Sequence, residues 1–521
     1  MSSERAWSDT AEVFRHRRAA PIHAWERWVL GVLLFLGLWS VAYFGAWWFR
    51  LEHVNQRTLF VLLSLATWYG IFRLIVGWYN AFHLEQPDVR PAPAGLKVAI
   101  FTTSAPGEPY PMFVRTLAAA REIRYPHLTY LLDDTRDPRF EELAHKMGAL
   151  HVELIGIPGA KAGKINEALK RTREDFILIL DPDHIPLPEF LDRVLGYFDD
   201  PRVGFVQVAQ AYHNADESFV ARAAAEQTFS FYGPIMQGMH GTGTSVAIGA
   251  NCTFRRAALD SIGGHGIGLA EDLVTSIRLH ANGWKSVYVP EVVSRGLVPA
   301  DLGSFLKQQL KWSRGVHEIL FQEYPRAFRR LSAHQRISYF MIGSYYVVGL
   351  TSLIYIAIPL IYLWTGNQPA AFLLSEYIRH ALPVGLLGVF IYRFTQRWLC
   401  DPVRERGFHW RGTLLKIGSW SVYLKGLVLS VLGIAVPYIP TAKERRRSRF
   451  WDLARIPLVT IVLSALTVLW TLWRQLFLLP ESEVRITTEV TFGMLFFMFM
   501  NAILMSGRLY AAWIDREREE E

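Results

Sequence analysis

The chain of 521 residues has only two cysteines, Cys252 and Cys400, which leaves no disulfide framework, no C-x-x-C pair and no thiolate metal cluster. Charge is scarce too: Asp, Glu, Lys and Arg make up 20% of the residues, against roughly 25% in a soluble domain. Apolar and aromatic residues take their place, at 51% hydrophobic with 32 Phe, 21 Tyr and 18 Trp. This composition excludes disorder and collagen-like repeats and indicates a membrane protein. The length suggests two or three domains. The first 27 residues are polar and basic rather than a short basic stretch before an apolar core, so no cleavable signal peptide is expected. A net charge of +8 would suit nucleic acid only if concentrated on a soluble face, and its distribution argues for no nucleic acid partner.

A hydrocarbon core about 30 Å thick needs about 20 apolar residues in a helix. Trp28–Phe49 supplies them with no internal charge and tryptophans at its ends, and Leu59–Tyr79 is interrupted only by Arg73, which can snorkel or face protein. Ile337–Gly366 is uncharged, too long for one upright span and too short for two, and is expected to be one tilted helix broken near Pro359. Ile456–Trp473 and Val490–Ser506 form a closing pair, while Ser375–Leu399 is weakened by Arg379 and Arg393.

Basic residues cluster at Arg15, Arg17, Arg18 and Arg27, at 393–411, and at Lys443, Arg445, Arg446, Arg447 and Arg449. Six spans, with both termini and the 80–335 block inside, put every cluster on the cytoplasmic side of the membrane; five do not. Thr413–Val436 contains Lys416 and Lys425 and reads as an amphipathic helix lying in the interface. The expected organisation is an N-terminal segment with two spans (1–94), a cytoplasmic domain with interfacial helices (95–335), and C-terminal spans with an interfacial helix and a loop at 437–445 (336–521).

Within 95–300 the pattern changes. Lys97–Thr103, Leu128–Leu132 and Phe176–Leu180 are short apolar runs that alternate with helical patterns at Pro111–Arg124, Arg139–Met147 and Lys164–Arg173. Strands alternating with helices predict a doubly wound, mostly parallel α/β sheet whose ligands sit at the carboxyl ends of the strands. Two runs end in acids, Asp133-Asp134 and Asp181-Pro182-Asp183-His184. Grouped carboxylates suit a hard divalent cation shared with substrate phosphates, although Asp-Pro-Asp also has the composition of a plain turn. Glu271-Asp272 precedes the helical pattern Leu273–Ala281, where Asp272 alone reads equally well as an N-cap. In Gln308–Gly315 a helix places Gln308, Lys311 and Trp312 on one face, which offers an amide, a cation and an indole or else serves as an interfacial anchor.

Taken together and in this order, these elements resemble the family 2 processive membrane glycosyltransferases, the cellulose, hyaluronan and chitin synthases, with the nearest likeness to bacterial cellulose synthase catalytic subunits. Asp133-Asp134 matches the family's Asp pair, Asp181-x-Asp183 its D-x-D, Glu271-Asp272 its T-E-D with Ala270 for Thr, and Gln308-x-x-Lys311-Trp312 its Q-x-x-R-W with Lys for Arg. Tyr438–Lys443 stands where a gating loop is found, and Lys161–Asn166 resembles the K-A-G-N motif with Lys164 for Asn.

The resemblance implies a GT-A-like cytoplasmic domain inserted in about six transmembrane helices. It further implies processive, inverting transfer of a hexose from a UDP-sugar, UDP-glucose first, to the non-reducing end of a β-glucan that crosses the inner membrane. UDP-N-acetylglucosamine, β-1,3 or mixed linkages, and single transfer to a polyprenyl phosphate are the alternatives. Asp133, Asp134, Lys161, Asp181, Lys311 and Lys443 are then expected to bind the nucleotide sugar, with Asp181 and Asp183 holding Mg²⁺ or Mn²⁺. Asp272, beside Glu271, would be the general base, and Gln308 and Trp312 would hold the acceptor. Tyr345, Tyr346, Tyr355, Trp420 and Tyr423 are candidates to line the channel. The implied partners are the UDP-sugar, the growing polysaccharide, the lipid bilayer and a periplasmic accessory subunit. No cyclic-di-GMP-binding domain is expected after the last span.

Overall fold

The computed structural model describes residues 13–436, 448–478 and 481–517. Seven strands form the central sheet: β1 (Val98–Thr103), β2 (Leu128–Asp133), β3 (Leu150–Glu153), β4 (Phe176–Ile179), β5 (Val203–Val208), β6 (Cys252–Arg255) and β7 (Lys285–Val289). Their order is β3-β2-β1-β4-β6-β5-β7, and only β6 runs antiparallel to its neighbours. The expected doubly wound, mostly parallel sheet is therefore the one observed. Its strands read as continuous apolar runs because both faces are covered. Val98, Ile100 and Leu178 point into one core with Phe190 and Val206, whereas Ala99, Phe101 and Ile177 point into the other with Ile165 and Leu169.

The crossover helices are α3 (Tyr110–Arg121), α4 (Pro138–Met147) and α5 (Ala160–Arg171), each close to its predicted bounds, and α6 (Phe219–Ser230) follows β5. Because β1, β2, β4 and β5 run parallel, their carboxyl ends share one edge, and the loop entering β6 arrives at the same edge. Asp133, Asp134, Asp181 and Asp183 collect there.

Among the described residues, five helical segments are long and apolar enough to cross a membrane: α1 (Ala24–Trp48), α2 (Arg57–Phe82), the pair α9 (Ala333–Gly343) and α10 (Val348–Thr365), α14 (Phe450–Phe477), and Val490–Arg516 within α15 (Glu481–Glu517). The chain is accordingly a membrane protein. The less apolar α11 (Leu374–Thr395) lies along α1: His380 stacks on Trp47 at 4.5 Å, and Ile391 reaches Gly37.

The break in 333–365 is not at Pro359, which lies inside α10; it falls at 344–347. Side chains explain both facts. The carbonyl of Tyr355, which Pro359 cannot engage, accepts from Asn501 Nδ2 at 3.0 Å. At the real break, Tyr69 donates its hydroxyl to the carbonyls of Ser344 and Tyr345, Arg73 donates to that of Met341, and the Ser344 carbonyl takes the Val347 amide at 3.0 Å in a tighter turn. Arg73 thus faces protein. The expected single interfacial helix over 413–436 is instead two, α12 (Trp410–Gly418) and α13 (Trp420–Val431), bent by 50°. Arg508 takes the Gly418 carbonyl and also donates to Ser421, so the ladder opens between the two helices.

Candidate active site

At the end of β2, Asp133 is buried and spends both oxygens inside the protein. Oδ1 accepts from Ser104 Oγ and from the amide and hydroxyl of Thr135 at 3.0 and 2.8 Å; Oδ2 meets His151 Nε2 at 3.0 Å. Burial works against the carboxylate, but these donors outweigh it and hold its pKa below the ordinary value. Asp134 is less buried; it accepts the Gly156 amide at 2.9 Å and lies 3.4 Å from Lys164 Nζ. Lys164 is buried and also donates to the Ser104 carbonyl. The loops after β1, β2 and β3 are thereby tied into one ledge, with the cation that departs from K-A-G-N as its tie.

Lys161 opens α5. Its neighbour Gly163 packs so closely on the preceding turn that a Cβ there would lie 1.9 Å from the Pro158 carbonyl oxygen, so this turn requires glycine. The Lys161 ammonium donates to Asp181 Oδ1 and to the carbonyl of Gly249, a residue at φ +83 whose added Cβ would lie 3.4 Å from Asp272 Oδ2. Asp181, Glu271 and Asp272 all act on this ammonium and raise its pKa against the opposing pull of burial. One cation therefore gathers carboxylates that lie ninety residues apart in the sequence.

Asp181 to His184 do form a turn, closed by the His184 amide on the Asp181 carbonyl at 3.0 Å, and that turn brings ligand atoms of Asp181, Asp183 and His184 within 4.8 Å of one another. Such spacing fits donors around one divalent cation. Asp183 is buried, and its Oδ2 accepts the Leu297 amide at 3.1 Å.

His184 was not singled out in the sequence, although it directly follows the acidic pair. Asn251 Nδ2 donates to Gln210 Oε1 at 2.9 Å, which turns the Gln210 amide nitrogen toward His184 Nε2 at 2.7 Å. Nε2 is then the acceptor, and Nδ1 carries the proton toward Asp183 Oδ1 at 3.3 Å. Gly296 closes over the ring, since a Cβ there would lie 2.4 Å from Cε1. His184 positions Asp183 through a chain of amides that no local sequence pattern announces.

Glu271 and Asp272 start α7 (Glu271–Ala281), whose N-cap is Ala270. Asp272 therefore does not cap the helix; its Oδ1 accepts the Leu273 amide at 2.8 Å. Burial foremost, then the charge of Glu271, pushes the pKa of Asp272 up to about 7, against the Leu273 amide and Lys161. Glu271 is raised as well, by burial first, with Lys161 and Lys311 opposing. The two titrate as a pair. Burial foremost, then Tyr212 and Asp272, lifts the phenol of Tyr232, in the kinked helical stretch at 231–235, well above its ordinary pKa; nothing in its sequence context marks it.

The Gln308–Gly315 stretch is helical, within α8 (Leu302–Glu318), which is capped by Asp301 on the Ser304 amide. It does more than anchor in an interface. A Cβ on Gly315 would meet the Ala270 amide nitrogen and Leu269 at 3.0 Å, so α8 packs directly on the loop that carries Glu271. Lys311 adds to the field at Glu271, and Trp312 packs on the same core cluster as Ala270 and Leu273. Gln308 is half-buried on this helix, and its neighbour Gln309 receives the Tyr346 hydroxyl at 3.4 Å. Lys443 and the rest of 438–443 lie outside the described residues.

Tyr345 also packs on that cluster and lines a cavity of about 490 Å³ among the membrane helices. Tyr69, Tyr355, Tyr377, Phe497 and Asn501 are among its walls. Of the expected aromatics, Tyr345 and Tyr355 line it; Tyr346 and Tyr423 are buried in packing, and Trp420 is not part of the wall. Lys416 lies 4.2 Å from the Tyr345 ring centre and Arg73 lies 5.0 Å from it.

Residues 112–315 match the family described as "Glycosyltransferase like family 2", and residues 260–469 match "Cellulose synthase". The cellulose synthase catalytic subunit (UDP-forming) of Komagataeibacter sucrofermentans is 29% identical over 343 residues, 63% of this chain and 45% of that protein. That of Pseudomonas fluorescens is 30% identical over 264 residues, 49% of this chain and 36% of its own length. The chain thus spans less than half the length of these curated relatives. Among solved structures, a mannosyltransferase of Pyrobaculum calidifontis, in complex with GDP-Man and Mn²⁺, is 18% identical, covers 72% of this chain and all of its own, and gives a TM-score of 0.48. The resemblance read from the motifs and the two matching families agree.

Proposed function

We propose that this chain is a processive, inverting glycosyltransferase of a bacterial inner membrane, taking a hexose from a UDP-sugar, UDP-glucose in first place, to the non-reducing end of a β-glucan. The observation that carries the reading is the Lys161 ammonium, around which Asp181, Glu271 and Asp272 meet beside the α8 face of Lys311 and Trp312.

The chemistry follows from the charges. A sugar diphosphate gains negative charge at its leaving oxygen as the glycosidic bond breaks, so cations fixed there lower the barrier more than they tighten ground-state binding. Lys161 and Lys311 are those cations in the chain, with Lys443 from the loop beyond the described residues joining them. The donor set of Asp181 and Asp183 fits Mg²⁺ or Mn²⁺, which supplies further charge neutralisation on the diphosphate when bound. Asp272 takes the proton from the acceptor hydroxyl as its oxygen attacks the anomeric carbon, and Glu271 keeps the Asp272 carboxylate basic enough to do so. A single displacement inverts that carbon, so an α-linked donor yields a β-linkage. The Trp312 indole offers a flat apolar face to the terminal pyranose, and Gln308 an amide.

The polymer leaves through the cavity that Tyr345 and Tyr355 line, with the basic clusters and the catalytic block on the cytoplasmic side. Inverted vesicles carrying the full chain, given labelled UDP-sugars and Mg²⁺, are expected to release UDP and accumulate polymer that a β-1,4-glucanase digests. Turnover with no common UDP-sugar refutes the reading. Trp312→Ala is expected to shorten the product or stop synthesis while UDP binding persists; product of normal length removes the stacking role.

A further inference from the structure

We propose a second binding site, for a phosphate group, in a cavity of about 420 Å³ where the start of α1 meets the end of α11. Arg393, Arg397, Arg406, Gln396, His23 and Glu26 form its wall. Three guanidiniums face one carboxylate, and that carboxylate is already engaged: Glu26 is buried, accepts the His23 amide at 3.0 Å and pairs with Arg397 Nη2 at 2.7 Å. Arg393 donates to Gln396 Oε1 at 2.6 Å and lies over the Phe408 ring, with no acidic partner among the described residues. Arg406 has neither an ion pair nor a hydrogen bond among the described residues. Two guanidiniums without an acidic partner among the described residues line one cavity, and each offers the planar fork of donors that binds phosphate oxygens in pairs.

The position of the cavity in the fold argues for a headgroup phosphate as the occupant. Arg17–Arg18, a few residues before α1, pair with Glu291–Val292 of the catalytic block, so this end of α1 is the end that carries that block. Trp25, 5.0 Å from Arg397, and Phe408, 4.9 Å from Arg393, are exposed beside it, and an exposed tryptophan is characteristic of the level of lipid headgroups. Basic pockets at that depth select anionic headgroups. The same segment is tied to the catalytic centre: Asp401 pairs with Arg295 at 2.5 Å, and the Ser294–Arg295 strand pairs with Ile185–Pro186, directly after the Asp181–His184 turn.

The test is binding by the full-length detergent-solubilised chain, read by native mass spectrometry with short-chain phosphatidylglycerol, short-chain phosphatidylcholine and inorganic phosphate as probes. The wild type is expected to retain phosphatidylglycerol over phosphatidylcholine. Arg406→Gln, which removes no hydrogen bond or ion pair among the described residues, and Arg393→Gln are each expected to weaken that retention about fivefold. Inorganic phosphate that displaces the lipid at millimolar concentration assigns the site to soluble phosphate, and failure to displace it assigns the site to the headgroup; both support a phosphate site. Equal retention by the wild type and both variants, or no binding of any probe, overturns it.

Discussion

Asp272→Asn is expected to lower sugar transfer by at least 10²- to 10⁴-fold, the usual worth of a positioned general base, while UDP binding survives. The amide keeps the shape of the carboxylate, and its oxygen can still accept the Leu273 N–H at the start of α7. Lys161 and Asp181 remain to hold the diphosphate end. The pH profile gives an independent reading of the same group. Asp272 works only when deprotonated, and burial with the neighbouring Glu271 charge has raised its pKa to about 7. Activity should therefore climb with pH up to about 7 and level off above it.

Lys161 opposes that rise, so Lys161→Met should move the acid limb to higher pH besides weakening donor binding. A profile that stays flat across this range, or an Asn variant with near-normal turnover, removes Asp272 as the base.

Loss of the divalent cation is expected to cost about a thousandfold, since charge neutralisation by a bound metal contributes several kcal/mol in the transition state. Chelation should stop synthesis, and Mn²⁺ or Mg²⁺ should restore it. The acids around the site separate by role. Asp181→Asn should remain inactive at any metal concentration. His184→Ala, which removes the group that orients Asp183, should instead raise the metal concentration for half-activation about 10- to 100-fold, with kcat recovered at saturation. Synthesis that persists after chelation, or a His184 variant with an unchanged metal requirement, refutes this arrangement.

Much of the site was legible because chemistry at strand ends leaves local marks. Apolar runs that stop at acids placed Asp133, Asp134, Asp181 and Asp183 on the correct edge, and the helical spacing of Gln308, Lys311 and Trp312 proved to be that of a real helix face. His184, Tyr232, Gln210 and Asn251 left no such mark, because each is recruited by a partner distant in the chain. Pro359 misled for a related reason: proline breaks a helix when its orphaned carbonyl has no donor, and Asn501 supplies one from another helix.

The order of apolar and polar residues alone determined that this chain enters a membrane, that its middle third is a mostly parallel sheet, and which acids end its strands, because periodicity and burial act over a few neighbouring residues. Only the tertiary structure decided that Lys161 would join Asp181 to Asp272, that Asp133 would brace loops from within, and that the helix over 333–365 would open at Ser344. Those outcomes depend on donors and charges brought together from opposite ends of the chain, and spacing along one strand or helix carries no record of them.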